Sequence, residues 1–395
     1  MTQKVAIIIE RADVALGGAE RSISEMAQAL SNLGLEVTIL AAKGQSETQG
    51  VHVLCPHVPG KRVTLTVFEE ALTRHLADHD YDIIHSVLPF DFCDVYQPRG
   101  GTYAESMRRN IASYASGPVR CYKRVTAPAN LRRTKLLAAE RRLCQRPGGP
   151  VIAALSQYVV DQLQEHYATD PQRIALILNG VETDRPVETA AADELRARIF
   201  TSLCHGEKDD PVLFLFAAHN FRLKGLGHLI KAFAATVHNG AERNTGLVVV
   251  GAGKSGRYQQ LARRLGLENH IAFLGPIGEI QNVLSVVDVG VLPTFYDPSS
   301  RFILETLAAG KPAITTRYNG AVDHFTDGRH GTVIDEPENI SALTEAIRHF
   351  ADRHNIARAT KAITQDDLKE RISIRRVARE LVGLYESILE RKEHI

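Results

Sequence analysis

The chain has 395 residues, a formal net charge of +1, and hydrophobic and charged fractions of 44% and 24%, the profile of a soluble globular protein too long for one ordinary core. That balance excludes a polyelectrolyte, and no apolar run approaches the roughly 20 residues a membrane-spanning helix needs. Five scattered cysteines (Cys55, Cys93, Cys121, Cys144 and Cys204) show no CxxC or metal-ligand spacing and read as thiols of a reducing compartment.

The first apolar run, 5–9, has the length of a strand and is too short for a signal-peptide core, which points to a cytoplasmic protein. From there, β-branched runs alternate with helical periodicity, the pattern of parallel sheets wrapped by helices. Strands are predicted at 5–9, 36–40, 83–85, 151–154 and 174–178. Helices are predicted at 19–33, 68–77, 103–115, 129–144 and 158–167, the last behind Ser156, a good N-cap. A polar stretch at 182–192, a helical segment to about 203 and a second polar break at 205–211 hold the domain boundary. Strands follow at 212–217, 246–250, 271–274, 286–292, 313–316 and 331–334, with helices between them and one long helix at about 368–392. The α/β organisation is therefore two Rossmann-like, doubly wound domains, 1–190 and 191–367, followed by a terminal helix, 368–395, beyond the final strand. Such domains bind ligands beyond the carboxyl ends of their strands, so the strand-to-helix loops are where chemistry is expected.

Several loops carry suggestive residues. Gly17-Gly18-Ala19-Glu20-Arg21 follows the first strand and opens a helix, where glycines allow close backbone approach and free N–H groups face a ligand. It lacks the GxGxxG spacing of a dinucleotide fold. Asn220-Phe221-Arg222-Leu223-Lys224-Gly225 puts two cations in a strand-to-helix loop, suited to a diphosphate or simply to solvent. Val248 stands where a phosphate-binding P-loop would need glycine, so 248–255 reads as a tight turn. In 297–310, Asp297 precedes a short helix and Glu305 lies eight residues on, about 12 Å if helical. That exceeds the separation of a retaining glycosidase pair and suits two acids gripping opposite ends of an elongated, phosphate-bearing ligand at a helix N-terminus. Between 99 and 146, a dozen Arg and Lys residues face only Glu105 and Glu140, with Tyr and Leu interspersed. Such a run suits a solvated helical face or an anionic membrane surface, and no nucleic-acid-binding motif accompanies it.

Taken in order, these motifs resemble the GT-B retaining glycosyltransferases of family four over nearly the whole chain. The landmarks are Gly17-Gly18, Asn179-Gly180-Val181, Arg222 and Lys224-Gly225, Gly251 and Gly253, Phe273-Leu274-Gly275, and the acid-x7-Glu segment followed by Leu-Ala-Ala-Gly-Lys-Pro. Within the family the likeness is greatest to the bacterial lipopolysaccharide core glucosyltransferases. The resemblance implies that Asp297 contacts the transferred sugar and Glu305 the ribose. It implies that Arg222 and Lys224 hold and stabilise the donor diphosphate, that the backbone at Ser299, Ser300, Arg301 and Phe302 binds phosphate, and that Gly17 and Gly18 line the junction of donor and acceptor. It implies a hexose, glucose by preference, moved with retention from a nucleotide sugar such as UDP-glucose, without metal or other cofactor. The implied acceptor is an anionic lipid-linked glycan at the inner face of the plasma membrane, reached through segment 99–146. The chain departs from the pattern in having Asp297 where many members carry Glu, and Pro298-Ser299-Ser300-Arg301 in place of a glycine-rich sequence. It also has two residues from Arg to Lys, and Gly100-Gly101 where the core enzymes carry an acid. A sugar-nucleotide epimerase on the same scaffold, a non-catalytic membrane-associated sugar-nucleotide binder and an RNA-binding protein are the alternatives.

Overall fold

The computed structural model describes residues 2–13, 18–44, 50–55, 63–203, 210–238 and 244–394. The chain forms two compact units, Met1–Arg108 with Cys121–Glu182 and Ser373–Ile395, and Arg109–Arg120 with Thr183–Ile372.

The first unit is a seven-stranded parallel sheet of β1 (Lys4–Arg11), β2 (Glu36–Lys43), β3 (Val51–Val53), β4 (Ile83–Ser86), β5 (Val95–Tyr96), β6 (Val151–Ala154) and β7 (Ile174–Leu176), in the order β3-β2-β1-β4-β5-β6-β7. Val5 to Ile9 in β1 are all buried, as a strand covered on both faces requires. On one face the helix Gly18–Asn32 contributes Ile23, Met26 and Leu30, packed with Val377, Leu381 and Tyr385 of the last helix. On the other lie Phe68, Leu72 and Leu136. Tyr385 hydrogen-bonds His85 Nδ1 at 2.6 Å, and burial pulls the His85 pKa down to about 3, so the imidazole stays neutral.

The second unit is a six-stranded parallel sheet of β8 (Val212–Ala217), β9 (Thr245–Val250), β10 (Ile271–Gly275), β11 (Val289–Leu292), β12 (Ala313–Thr316) and β13 (Gly331–Ile334), in the order β10-β9-β8-β11-β12-β13. Both sheets thus contain the doubly wound order 3-2-1-4-5-6, which reverses direction beside the first strand.

Several predicted helices take different bounds. The helix at 103–115 ends at Ala112, and a separate helix, Gly117–Thr126, begins with Pro118 in its first turn, where the missing N–H costs nothing. The next starts at Leu131 because Asn130 Oδ1 caps it, accepting from Arg133 N–H at 3.2 Å. The terminal helix is broken: Leu368–Ile372 stops, Ser373 turns extended, and its Oγ caps a new helix, Ile374–Glu393. The strand placed at 286–292 begins at Val289, since Ser285 is still the C-cap of the helix Ile280–Leu284. The strands β3 and β5, of three and two residues, are too short to leave a periodic signal.

Candidate functional site

In the second unit the sheet order reverses between β8 and β11. The loop after β8 carries Arg222 and Lys224, and the loop after β11 carries Asp297. Asn220 folds the first loop, accepting from Leu223 N–H through its side chain and from Lys224 N–H through its carbonyl, at 3.2 and 3.0 Å. Gly225 has φ of +80°, and a Cβ there would lie 2.0 Å from Pro293 O. Only glycine lets the two loops approach this closely, and Phe295 N–H then donates to Leu223 O at 2.9 Å.

This approach brings Lys224 Nζ to 2.6 Å from Asp297 Oδ2 and 2.8 Å from Tyr296 O. The two side chains keep 19% and 14% of their exposure, so the pair is largely shielded yet open to a ligand. Asp297 Oδ1 accepts from Ser299 N–H at 3.3 Å, folding the chain toward the helix Arg301–Ala308. Ser300 caps that helix, its Oγ accepting from Ile303 N–H at 3.4 Å. The first-turn amides of a helix have no acceptor within it, and its dipole favours negative charge there. Ser299, Ser300 and Phe302 are buried. Glu305, one turn on, pairs with Arg301 at 3.1 Å. A fixed ammonium and a carboxylate therefore meet in the loops before a helix N-terminus, with a second carboxylate one turn inside that helix, an arrangement able to hold a polyhydroxylated phosphate ester.

Arg222, the other cation of the loop after β8, is held by neighbouring groups rather than left to diphosphate or solvent. Within the same unit its guanidinium donates to Asn110 O at 2.9 Å and to Ser113 Oγ, and lies 3.7 Å from the centre of the Tyr114 ring. Burial pulls its pKa below the ordinary arginine value. Gly251 has φ of +133° and would place a Cβ 1.8 Å from Ala218 O, which accounts for the glycine turn as backbone packing.

Gly17 lies outside the described residues, and Gly18 is the first residue of the helix Gly18–Asn32 in the first unit. There, where the order reverses beside β1, a cavity of about 310 Å³ is lined by residues including Glu10, Arg11, Glu20, Arg99 and Arg132. Arg99 is held by Gln97 Oε1 at 3.0 Å, Asn179 Oδ1 at 2.9 Å and Ser22 Oγ. Glu10 and Arg11 were not singled out from the sequence, although the end of a first doubly wound strand is a position that could have flagged them.

Two family models match this chain: "Glycosyltransferase Family 4" over residues 16–185 and "Glycosyl transferases group 1" over residues 204–366. Lipopolysaccharide glucosyltransferase WaaG of Escherichia coli (strain K12) is 24% identical over 357 residues, 89% of this chain and 88% of WaaG. The chain belongs to the family-four glycosyltransferases. The crystal structure of WaaG superposes on this glycosyltransferase with a TM-score of 0.68 at 22% identity, covering 98% of each chain. That of Anabaena HepE in complex with UDP-glucose gives 0.69 at 16%, covering 97% of this chain and 99% of HepE. The fold is GT-B.

The basic segment of this glycosyltransferase is less uniformly free than its sequence implies. Glu105 and Glu140, the only acids within it, are both fully buried. Glu140 accepts from Tyr96 OH and Tyr103 N–H, both at 2.7 Å, and from Tyr167 OH at 2.5 Å. Distant acids pair with several of the cations: Glu10 with Arg132, Asp91 with Arg146, and Glu165 with Arg108. Arg124, Arg133, Lys135, Arg141 and Arg142 remain exposed, beside Tyr122, Val125 and Leu131, which are 63–74% exposed. Among the described residues no helix is long and apolar enough to cross a membrane, and no group of three or more His, Cys, Asp and Glu is arranged to hold a metal.

Proposed function

We propose that this glycosyltransferase moves a hexose, glucose by preference, with retention from UDP-glucose to an anionic lipid-linked glycan of the lipopolysaccharide-core type. The observation that carries the reading is the Lys224–Asp297 pair at the mouth of a capped helix. The ammonium and helix terminus supply positive charge where a leaving diphosphate gathers negative charge, while Asp297 accepts hydrogen bonds from sugar hydroxyls. Glu305 holds the ribose, and Arg222, once turned from Ser113, adds a second cation. The amides of Arg301 and Phe302 take the phosphates, those of Ser299 and Ser300 being held by Asp297 and Asn319. The C1–O bond breaks with its electron pair leaving on the diphosphate. The acceptor hydroxyl attacks from the same face, and its proton passes to the departing phosphate oxygen. Positioning and charge stabilisation supply the acceleration, and no metal or other cofactor is required.

The names of two relatives support donor and acceptor class: WaaG is a lipopolysaccharide glucosyltransferase, and HepE has been seen with UDP-glucose. Exposed cations flanked by Tyr122, Val125 and Leu131 support attachment at the cytoplasmic membrane face through segment 99–146. The test is a panel of labelled nucleotide sugars incubated with a lipid or core-oligosaccharide fraction, followed by linkage analysis. Label from UDP-glucose in an α-linked product is the expected result. Transfer from none of the sugars, or an inverted linkage, overturns the proposal.

A further inference from the structure

The segment that follows β12 holds a residue that the motif pattern does not mark. Asn319 is completely buried, and its side chain makes three hydrogen bonds. Its Oδ1 accepts from Ser300 N–H at 3.0 Å and from Ala321 N–H at 3.1 Å, while its Nδ2 donates to Thr315 Oγ1 at 2.9 Å. Backbone amides can only donate, so this pattern fixes which end of the carboxamide is oxygen. Thr315 Oγ1 in turn donates to Leu292 O, the last residue of β11, at 2.8 Å. On either side of Asn319, Asp297 N–H donates to Tyr318 O at 2.8 Å and Gly320 N–H to Asp297 O at 3.0 Å. The loop that carries Asp297 and the cap of the helix Arg301–Ala308 is thereby tied to the end of β12 by main chain at Asp297 and by a single side chain at Ser300.

We infer that Asn319 is a positioning residue for the donor diphosphate, acting through Ser300 to aim the first-turn amides of the helix Arg301–Ala308. The inference rests on the donor reading given above. Ser300 is the residue from which the helix departs, so its placement sets where the following N–H groups converge. Only a carboxamide supplies what the position needs: one acceptor shared by two amides and one donor for Thr315. A carboxylate would lose the donor and add a negative charge beside an anion site. An aliphatic residue would leave two buried amides without a partner, and the loop would relax to find other acceptors.

The test compares two ligands that differ only in the diphosphate, UDP and uridine, by calorimetry or ligand-observed NMR. Asn319→Ala is expected to weaken UDP binding about tenfold and leave uridine unchanged. If Asn319→Ala does not fold, Thr315→Val, which removes the anchor of Nδ2, should show the same split at about threefold. Equal weakening of both ligands means a general loss of structure and overturns the inference. Unchanged UDP binding in a folded Asn319→Ala variant also overturns it, while the donor reading stands. Wild-type protein that binds neither ligand overturns the donor reading and the inference with it.

Discussion

Lys224 and Asp297 are 73 residues apart and 2.6 Å from one another, each carried by a loop that leaves one of the two strands at which the sheet order reverses. Replacing either leaves the other partly buried charge without its counterion. Lys224→Ala should lower kcat/KM by at least a hundredfold with a melting temperature near that of the wild type, because the lost charge acts mainly on the leaving diphosphate. Asp297→Asn should raise the KM for the donor and lower kcat, because it alters hydroxyl acceptance. Steady-state kinetics with UDP-glucose measures both, and a Lys224→Ala enzyme with unimpaired turnover would refute the assigned role.

Gly225 tests the same geometry through the backbone. Alanine there must adopt φ near +80° with its Cβ 2.0 Å from Pro293 O, so the β8 loop must retreat from the β11 loop. Gly225→Ala should cost at least about 2 kcal/mol of stability and most of the activity. Chemical denaturation and an activity assay read the two effects, and a fully active variant would contradict the close approach.

Glu140 predicts a pH dependence. Burial pushes its pKa up to about 7 from an ordinary 4.5, against the opposing hydrogen bonds from Tyr167, Tyr96 and Tyr103 N–H. The folded protein therefore keeps a proton that the unfolded chain has already lost. The stabilising contribution is fully present below about pH 4.5, falls as pH rises, and is gone above about 7, a span on the order of 3 kcal/mol. Glu140→Gln, which is neutral throughout, should flatten stability between pH 5 and 8. Urea titrations of both proteins across that range provide the check.

Surface charge gives a prediction about membranes. Arg133, Lys135, Arg141 and Arg142 are exposed, and each cation near an anionic surface contributes about 1 kcal/mol. Replacing all four by Gln should cut co-sedimentation with phosphatidylglycerol-containing liposomes at least tenfold and leave binding to neutral liposomes unaltered. Equal sedimentation of the two proteins would sink the membrane role.

Much of this architecture was legible in the chain because its signals are local. Buried runs such as Val5 to Ile9 and Val212 to Phe216 must be covered on both faces, and helical periodicity between them dictates parallel crossovers. Asp297 and the helix behind it were legible for the same reason, as an acid in the loop between an apolar strand and a short helix. The break at Ser373 was not, because its neighbours Ile372 and Ile374 continue a helical pattern. What decides the break is Ile374 N–H donating to Val181 O at 2.8 Å, almost two hundred residues away.

The sequence by itself determined two parallel α/β units and the strand-to-helix loops that carry Arg222, Lys224 and Asp297, since hydrophobic period and residue type are properties of neighbours along the chain. Tertiary structure alone decided which charges meet. It set Lys224 against Asp297, drew Arg222 to Ser113 and Tyr114, paired part of the basic segment with distant acids, and gave Asn319 its hold on Ser300. Hydrogen bonds and ion pairs act over about 3 Å of space, and separation in sequence says nothing about that distance once the chain has folded.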